Sequence, residues 1–478
     1  MNVKLVFKVL GHILRIESVF LLLPAMVALV YGESPLPFLV TALLLLCVGQ
    51  GLCRLKTSPH FFTREGFVAV GLIWFATCLF GALPFWFSGS FPSFVDCAFE
   101  SASGFTTTGA SILTDIEAMP KGVLFWRSFT HWLGGMGVLV LATAVLPSMG
   151  IRPHYLTQAE TPGPVFSKLV PKQSTTSKIL YSIYFGLTAV ETVLLKIAGM
   201  PWYDAVIHAL SSAGTGGFSN RNASVGAYGS VAIDLIITVF ILLFSVNFAV
   251  YFLLLTRKFR DILASDELRF FLTVVAGSTL LIAWNIRGLY SSFAQALRYA
   301  VFQVASIIST TGFATADFTL WPQLSHLILI LIMFCGACAG STGGGMKCSR
   351  ILILGRSLRR EIHRIVHPRS VEVVTLDGKV VEEETIHSAL TFVGSYFLVI
   401  LAGALIISLD NFSFSVSFSA ALTCVSNVGP GLELIGPAGN FSIFSPLSKL
   451  VMSLCMIVGR LEILPVLVLF SRSTWRKD

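Results

Sequence analysis

The chain has 478 residues, of which 55% are hydrophobic and 12% are charged, and its mean hydropathy is +0.81. A soluble domain is typically about 25% charged, so this composition excludes an ordinary soluble protein and indicates one that lipid largely surrounds. The net charge of +8 would suit a nucleic-acid partner. However, most of the basic residues lie in loops between apolar runs, where they act as topology signals, so no nucleic acid is expected to bind.

The apolar runs predict about ten spanning helices, since most are near the length that crosses about 30 Å of hydrocarbon. They are Phe20–Val30, Phe38–Val48, Phe67–Pro84, Gly122–Pro147, Ile179–Ala198, Val231–Leu255, Phe270–Trp284, Leu324–Ala339, Ala389–Ile407 and Lys449–Phe470. The start of the chain also has the basic and apolar parts of a signal peptide. Because no clear cleavage site follows, we interpret it as an uncleaved first helix.

The positive charges predict the orientation of the chain in the bilayer. They cluster near the N-terminus, at the C-terminal tail and in Arg54–Arg64, Arg152–Lys178, Arg257–Arg269 and Lys347–Lys379. These segments lie on one side of the membrane if the helices alternate, and positive loops stay in the cytoplasm. Both termini are therefore expected to be cytoplasmic.

Four short, glycine-containing segments interrupt the apolar pattern and align with one another. They are Gly104–Ser111, Ala213–Asn220, Ser309–Thr315 and Ser426–Gly431. When Gly109, Gly217, Gly312 and Gly429 are superposed, a Ser or Thr stands at the same earlier offset in each copy, namely Ser103, Ser211, Ser306 and Thr423. The first two copies also share an acid further upstream, Asp96 and Asp204. The chain therefore contains an internal repeat.

Each copy has the same frame: a spanning helix, a short half-polar helix, the glycine loop and a second spanning helix. The short helices, of about ten residues, cannot cross a bilayer and must return to the face they entered. Irregular backbone at membrane depth is tolerated where it is buried in protein or lines a water-filled path. The repeat thus predicts a shared central pore, although each segment could instead be a simple polar loop outside the membrane.

The glycine loops fit a cation filter made of backbone carbonyls, which replace the hydration shell of the ion. Glycine permits the unusual backbone angles that such a turn needs, and the C-terminal ends of the short helices would bring partial negative charge. The predicted potassium-binding positions are Thr107, Thr108 and Gly109; Thr215, Gly216 and Gly217; Thr310, Thr311 and Gly312; and Asn427, Val428 and Gly429.

Together with Trp132–Gly137, Ala339–Lys347 and Gly459–Glu462, these loops resemble the TrkH branch of the Trk/Ktr/HKT superfamily of potassium transporters. The resemblance covers essentially the whole chain. It implies an all-α polytopic membrane protein with four pseudo-repeats around a pore and two extra N-terminal helices. It also implies potassium as the transported ion, because sodium-admitting plant relatives often carry Ser at the position of Gly109. The fourth loop departs most from the Thr-rich pattern.

The resemblance further implies a gate below the filter. The matching segment is Gly340, Ser341, Thr342, Gly343, Gly344 and Gly345, and each glycine disfavours helix by about 1 kcal/mol relative to Ala. A kink or close-packing site would also explain the run, while a phosphate-binding P-loop is disfavoured because Met346 stands where that motif needs Lys. In relatives an arginine matching Arg460 projects into the pore and slows cations. Pairing with Glu462 is the structural alternative.

The repeats divide the chain into five predicted segments. Residues 1–62 hold the two N-terminal helices, and residues 63–150, 151–258, 259–375 and 376–478 hold the four repeats in order.

The basic segment Lys347–Lys379 is a candidate docking surface, with a β-like run at Val371–Leu376 before an Asp377-Gly378 turn. The resemblance implies a homodimer in the bacterial inner membrane and a cytosolic, nucleotide-binding regulatory subunit that senses NAD or ATP. No GxGxxG dinucleotide motif occurs in this chain, so nucleotide sensing is assigned to that partner. No residue pattern suggests an enzyme. An alternating-access symporter, moving K⁺ with H⁺ or Na⁺, is the alternative function.

Several polar residues give weaker signals. Glu100, His131, His208 and His326 are interpreted as polar residues satisfied at helix interfaces rather than as metal ligands. Asp317 and Glu433 follow the third and fourth loops, where they either concentrate cations or are ordinary loop charges.

Overall fold

The structure is a computed structural model that describes residues 2–56, 63–137 and 173–475. Nearly all regular structure in these ranges is helical. Two N-terminal spans come first. The first consists of α1 (Val3–Phe20) and α2 (Leu22–Val30), and the second is α3 (Leu36–Cys53). The first span therefore begins at Val3, well before the apolar run that predicted it. It crosses α3 closely, because a Cβ on Gly11 would lie 2.8 Å from the carbonyl oxygen of Gly49.

The first two repeats follow the predicted order of spanning helix, short helix and second helix. Repeat 1 has α4 (Thr63–Gly81), α5 (Leu83–Phe87), α6 (Phe94–Phe105) and α7 (Lys121–Gly135). Repeat 2 has α8 (Gln173–Ile197), α9 (Trp202–Gly214), α10 (Val231–Ser245) and α11 (Phe248–Leu255), and the short α12 (Phe259–Ala264) begins the segment predicted for repeat 3. The end of the predicted span Gly122–Pro147 and the predicted boundary at residues 150 and 151 lie outside the described residues.

The last two repeats have the same order. Repeat 3 has α13 (Asp266–Ile286), α14 (Phe293–Ile308), α15 (Gln323–Cys335) and α16 (Cys348–Val366). Repeat 4 has α17 (Glu383–Ile407), α18 (Phe414–Ser426), α19 (Pro446–Arg460), α20 (Leu464–Phe470) and α21 (Arg472–Trp475). Short 3₁₀ turns occupy Ser224–Tyr228, Phe318–Leu320, Ser408–Asp410, Glu433–Ile435 and Phe441–Ile443.

Three of the four half-helices, as we call α6, α9, α14 and α18, start with a serine cap. Ser93, Ser292 and Ser413 each accept the backbone N–H three residues on, at 3.2, 3.2 and 3.3 Å, which satisfies an otherwise unpaired donor. The second half-helix instead follows Pro201. Because all four end just before a glycine segment, their caps and ends fix where those segments lie.

Length and composition qualify six helices of the described residues as membrane spans, or seven if α10 and α11 count as one. The prediction of one continuous spanning helix at Val231–Leu255 is wrong, because the chain bends by 94° between Ser245 and Phe248. The span at α15 stops at the glycine-rich segment, and the last span is interrupted after Arg460, where Glu462 and Ile463 have φ of 55° and 67°.

After the third repeat, a small hairpin lies beside the amphipathic helix α16. Strands β1 (Thr375–Leu376) and β2 (Lys379–Val380) pair antiparallel around the Asp377-Gly378 turn. The predicted β-like run is present, but only its last two residues form a strand.

Candidate functional site

The four Gly loops, residues 107–109, 215–217, 310–312 and 427–429, share one backbone conformation. Each has a positive φ at its first residue and again at its glycine. The first residues are Thr107 (56°), Thr215 (54°), Thr310 (59°) and Asn427 (55°), and the glycines are Gly109 (78°), Gly217 (78°), Gly312 (81°) and Gly429 (101°). A β-branched residue is rarely left-handed, so three Thr in this state indicate a conformation that the surroundings impose.

The same backbone hydrogen bonds close every half-helix. The N–H of the middle loop residue donates to the carbonyl of the aligned Ser or Thr six residues before the glycine. The four bonds are Thr108 to Ser103 (2.9 Å), Gly216 to Ser211 (2.9 Å), Thr311 to Ser306 (2.8 Å) and Val428 to Thr423 (3.0 Å). This is the six-to-one bond of a Schellman cap. The constant spacing between the Ser or Thr and the glycine in the sequence is therefore explained by this C-terminal cap, which ends each half-helix in the same way.

The loops close a ring in chain order. A Cβ built on the glycine of each loop would collide with a carbonyl oxygen of the adjacent loop: Gly109 with Gly216, Gly217 with Thr311, Gly312 with Val428, and Gly429 with Thr108. Four segments from distant parts of the chain thus surround one axis. The close approach explains why each of these positions carries glycine.

The ring is only approximately fourfold. In loops 1 and 3, the middle residue pairs with the hydroxyl directly before the loop, Thr108 with Thr106 at 2.8 Å and Thr311 with Ser309 at 2.7 Å. In loop 4 the Asn427 side chain instead donates to Thr108 Oγ1 and to the Met456 carbonyl, both at 3.0 Å. The fourth loop was predicted to differ most from the Thr-rich pattern. Its Asn427 forms the side-chain hydrogen bond between the fourth and the first loop.

Electrostatics at the ring favour a cation. All four half-helices end at it, and each C-terminus carries roughly half a negative elementary charge. The Thr and Asn side chains of the loops are fully buried, whereas Gly109, Gly217 and Gly312 are partly accessible. The accessible surface of the ring is thus mainly backbone.

The Gly340–Gly345 segment, which we call the 340–345 loop, packs against the ring. Its Gly344 N–H donates to Thr310 Oγ1 at 2.7 Å, and a Cβ on Gly344 would lie 2.5 Å from the Ser426 carbonyl oxygen. On its other side, Thr342 Oγ1 donates to the Phe244 carbonyl at 3.0 Å, and the Phe248 N–H donates to the Gly340 carbonyl at 3.0 Å. The 340–345 loop thus packs against the bend between α10 and α11 and is hydrogen-bonded to it.

Arg460 joins three parts of the site. Its guanidinium donates to Thr107 Oγ1 at 3.2 Å in the first Gly loop and to the Thr342 carbonyl at 2.8 Å in the 340–345 loop. It also donates to the carbonyls of Gly134 and Gly135, at 2.6 and 2.7 Å. Glu462, the alternative partner from the sequence, forms its ion pair with Arg350.

Sequence reasoning missed two charged residues beside the 340–345 loop. Glu267 is 7% exposed, and its Oε1 accepts the N–H groups of Ala339 at 2.8 Å and Ser349 at 3.0 Å. Lys347 is buried and donates to the Gly343 carbonyl. A charged residue at the edge of an apolar run was the available signal, but the partners lie far away in sequence.

The acids of the half-helices have structural partners. Glu100 pairs with Arg127 at 2.5 Å, both side chains being buried, and it also accepts the Ile112 N–H at 3.0 Å. The aligned acids Asp96 and Asp204 pair with Lys449 at 2.7 Å and Arg221 at 3.1 Å. These contacts fix the half-helices in place.

Most of the weaker signals are explained by local contacts. His208 contacts the Asp204 carbonyl at 2.8 Å and His326 contacts the Phe318 carbonyl at 2.7 Å. His131 departs from the prediction, because it stacks on Phe218 with centroids 4.0 Å apart and neither of its buried ring nitrogens has a hydrogen-bond partner among the described residues. Asp317 caps the turn at Thr319, at 3.0 Å, and Glu433 accepts the Ser413 hydroxyl at 2.7 Å. Both acids are thus used in local hydrogen bonds.

Four half-helices that end at one ring of Gly loops, among helices long and apolar enough to span a membrane, are the architecture expected of a membrane transport protein. The sequence model of the TrkH family, described as a cation transport protein, matches residues 37–477. The chain belongs to this family, and the predicted fold class and resemblance are confirmed.

The chain is similar over its whole length to known potassium uptake proteins, and it shares the fold of a solved one. The chain is 37% identical over 491 residues to the Trk system potassium uptake protein TrkH of Salmonella typhimurium, with 100% of each chain covered. It is 34% identical over 484 residues to TrkG of Escherichia coli, with 99% of each covered. The crystal structure of the potassium transporter TrkH from Vibrio parahaemolyticus superposes with a TM-score of 0.89, at 34% identity and full coverage of both chains.

Proposed function

We propose that this chain is the potassium-selective, ion-conducting membrane subunit of a K⁺ uptake system. The closed ring of Gly loops carries the proposal, because four backbone turns, three of them with a partly accessible glycine, meet where four helix C-termini converge. Carbonyl oxygens in such a ring replace the water lost by a dehydrated K⁺. The names of the relatives, which describe potassium uptake and transport, support K⁺ as the ion.

The 340–345 loop and Arg460 form the gate in this proposal. The loop contacts the third and fourth Gly loops from one side, and the Arg460 guanidinium contacts both the first Gly loop and the 340–345 loop. A positive charge directly beside the ring repels a cation that leaves it. Conduction then requires that the loop and the arginine move aside.

The gate is controlled by a cytosolic nucleotide-binding subunit that senses NAD or ATP, and the conducting subunit works as a homodimer in the bacterial inner membrane with both termini in the cytoplasm. The relatives are named as proteins of a Trk system, which supports a multi-subunit assembly. The basic helix α16 and the β1–β2 hairpin, which follow the 340–345 loop directly, offer the docking surface.

The test is rubidium or potassium flux into liposomes that contain the purified protein, with and without competing sodium. We expect uptake that sodium competes with poorly, at rates above those of a carrier. The Gly109→Ser variant should lose selectivity or flux, since a side chain there meets the Gly216 carbonyl in the adjacent loop. Gly186→Ala is the matched control, because a Cβ at Gly186 has nothing within 4 Å.

Two outcomes would contradict the proposal. Unchanged selectivity and flux in Gly109→Ser would reject the ring as the filter. Slow flux that depends on a proton or sodium gradient would instead support the alternating-access symporter.

A further inference from the structure

Two adjacent carboxylates at the start of α13 contact two different parts of the molecule. Ser265 caps the helix through the Leu268 N–H, at 3.4 Å, so Asp266 and Glu267 occupy its first turn. Glu267 is buried and directed to the 340–345 loop, whereas Asp266 has a 23% exposed side chain and contacts the β1–β2 hairpin. The same helical turn thus touches the proposed gate and a surface element.

Glu267 holds both ends of the proposed gate with one oxygen atom. Its Oε1 accepts the Ala339 N–H at 2.8 Å, directly before the loop, and the Ser349 N–H at 3.0 Å, in the first turn of the helix α16 that follows the loop. Hydrogen bonds from backbone N–H groups to a buried carboxylate are among the stronger ones in proteins. A displacement of this carboxylate therefore displaces both ends of the 340–345 loop together.

Asp266 is tied just as closely to the hairpin. Its N–H donates to Asp377 Oδ1 at 2.7 Å, and the Asp377 N–H donates back to Asp266 Oδ2 at 2.9 Å. Arg356 on α16 donates to the same Oδ2 at 2.9 Å and also to the Thr375 carbonyl of β1. The arginine thus joins Asp266 to strand β1, so that α13, α16 and the hairpin share one network of hydrogen bonds.

We propose that Asp266 and Glu267 couple the hairpin mechanically to the gate, so that a force applied at the Asp377 turn moves the 340–345 loop. The inference rests on the proposed function of that loop. The hairpin is accessible, since Lys379 and Val380 are exposed, and its turn is joined to α13 by the paired bonds above. Asp377, Asp266 and Glu267 are positioning residues in this scheme, because none of them touches the ring.

The first experiment measures hydrogen exchange of the 340–345 loop in full-length protein reconstituted in nanodiscs. Asp377→Ala removes the acceptor of the Asp266 N–H at the surface, and we expect exchange at the loop to rise by roughly two- to thirtyfold, the usual range for coupling through a packed network. Asp377→Asn keeps an acceptor oxygen and should restore slow exchange. Glu384→Ala, which changes an exposed acid on α17, is the control and should leave exchange unchanged.

The second experiment is a double-variant cycle on potassium flux. Asp377→Ala and Glu267→Gln should each raise basal flux, and the effect of Asp377→Ala should disappear in the Glu267→Gln background because the connection is already cut. Additive effects, or a loop that exchanges as in the wild type in Asp377→Ala, would overturn the coupling. Since exchange is read without flux, a wild-type protein that carries no K⁺ would reject the proposed function alone.

Discussion

In three of the four Gly loops, the left-handed first residue makes a side-chain hydrogen bond to a segment outside the ring. Thr107 Oγ1 accepts from Arg460, and Thr310 Oγ1 accepts from Gly344. Asn427 reaches the Met456 carbonyl on α19. A hydroxyl or amide at this position offsets part of the cost of the strained backbone, about 1–3 kcal/mol, by hydrogen bonds that glycine lacks. The strain is thus accompanied by contacts to the proposed gate.

Replacement of Arg460 tests the electrostatic part of the gate. A cation about 8 Å away at an effective dielectric of about 20 is repelled by about 2 kcal/mol. Arg460→Ala should therefore raise K⁺ flux in liposomes, by up to roughly thirtyfold if this step limits the rate. Arg460→Lys keeps the charge and should stay close to the wild type, as should Arg287→Ala at an exposed arginine. Equal flux in all of these variants would exclude a charge barrier.

Thr310→Val tests the contact between the ring and the 340–345 loop. Valine has almost the same shape but cannot accept the Gly344 N–H, which lies 2.7 Å from the hydroxyl. A buried donor without a partner costs about 1–3 kcal/mol, so the closed loop should be destabilised and basal flux should rise several-fold. Thr273→Val on the exposed face of α13 is the matched control. A fall in flux would show that this bond favours the conducting state.

At the scale of elements, the repeat was readable from the sequence because its signals are local. Half-helix, cap and glycine recur at fixed offsets, and the Ser103-to-Thr108 bond explains why the offset is constant. The break between Ser245 and Phe248 had no such signal, since no Gly or Pro marks it. It depends on the Phe248 N–H meeting the Gly340 carbonyl, a contact between separate repeats. Glu267 was missed for the same reason.

The buried Glu100–Arg127 ion pair should contribute strongly to the stability of the first half-helix in its position. Arg127→Ala leaves an unpaired buried carboxylate, which typically costs about 3–5 kcal/mol, so the melting temperature in detergent should fall markedly. Replacing both partners, Glu100→Gln with Arg127→Met, should recover part of the loss because no lone charge remains. Arg369→Ala, at an exposed arginine, should melt like the wild type. A double variant no more stable than Arg127→Ala would contradict this role.

At the scale of the whole molecule, the charge pattern predicts which end of the bundle faces the cytoplasm. In a cysteine-free background, Val371→Cys on the basic side should react with an impermeant maleimide only after the membrane is opened. Gly288→Cys, in the turn at the other end of α13, should react in intact cells. Both positions are exposed in the structure. Reaction of Val371→Cys in intact cells would reverse the proposed orientation.

The closure of the ring also bears on how such a protein is made. Asn427 contacts Thr108 across 319 residues of sequence, and Gly429 lies against the Thr108 carbonyl. A chain that is still being synthesised and has inserted only its first three repeats therefore has an open ring with one side missing. Such an unfinished ring cannot enclose a dehydrated ion. Under the proposed function, a complete ion pathway therefore exists only once the fourth repeat has joined the first, when nearly the whole chain is in the membrane.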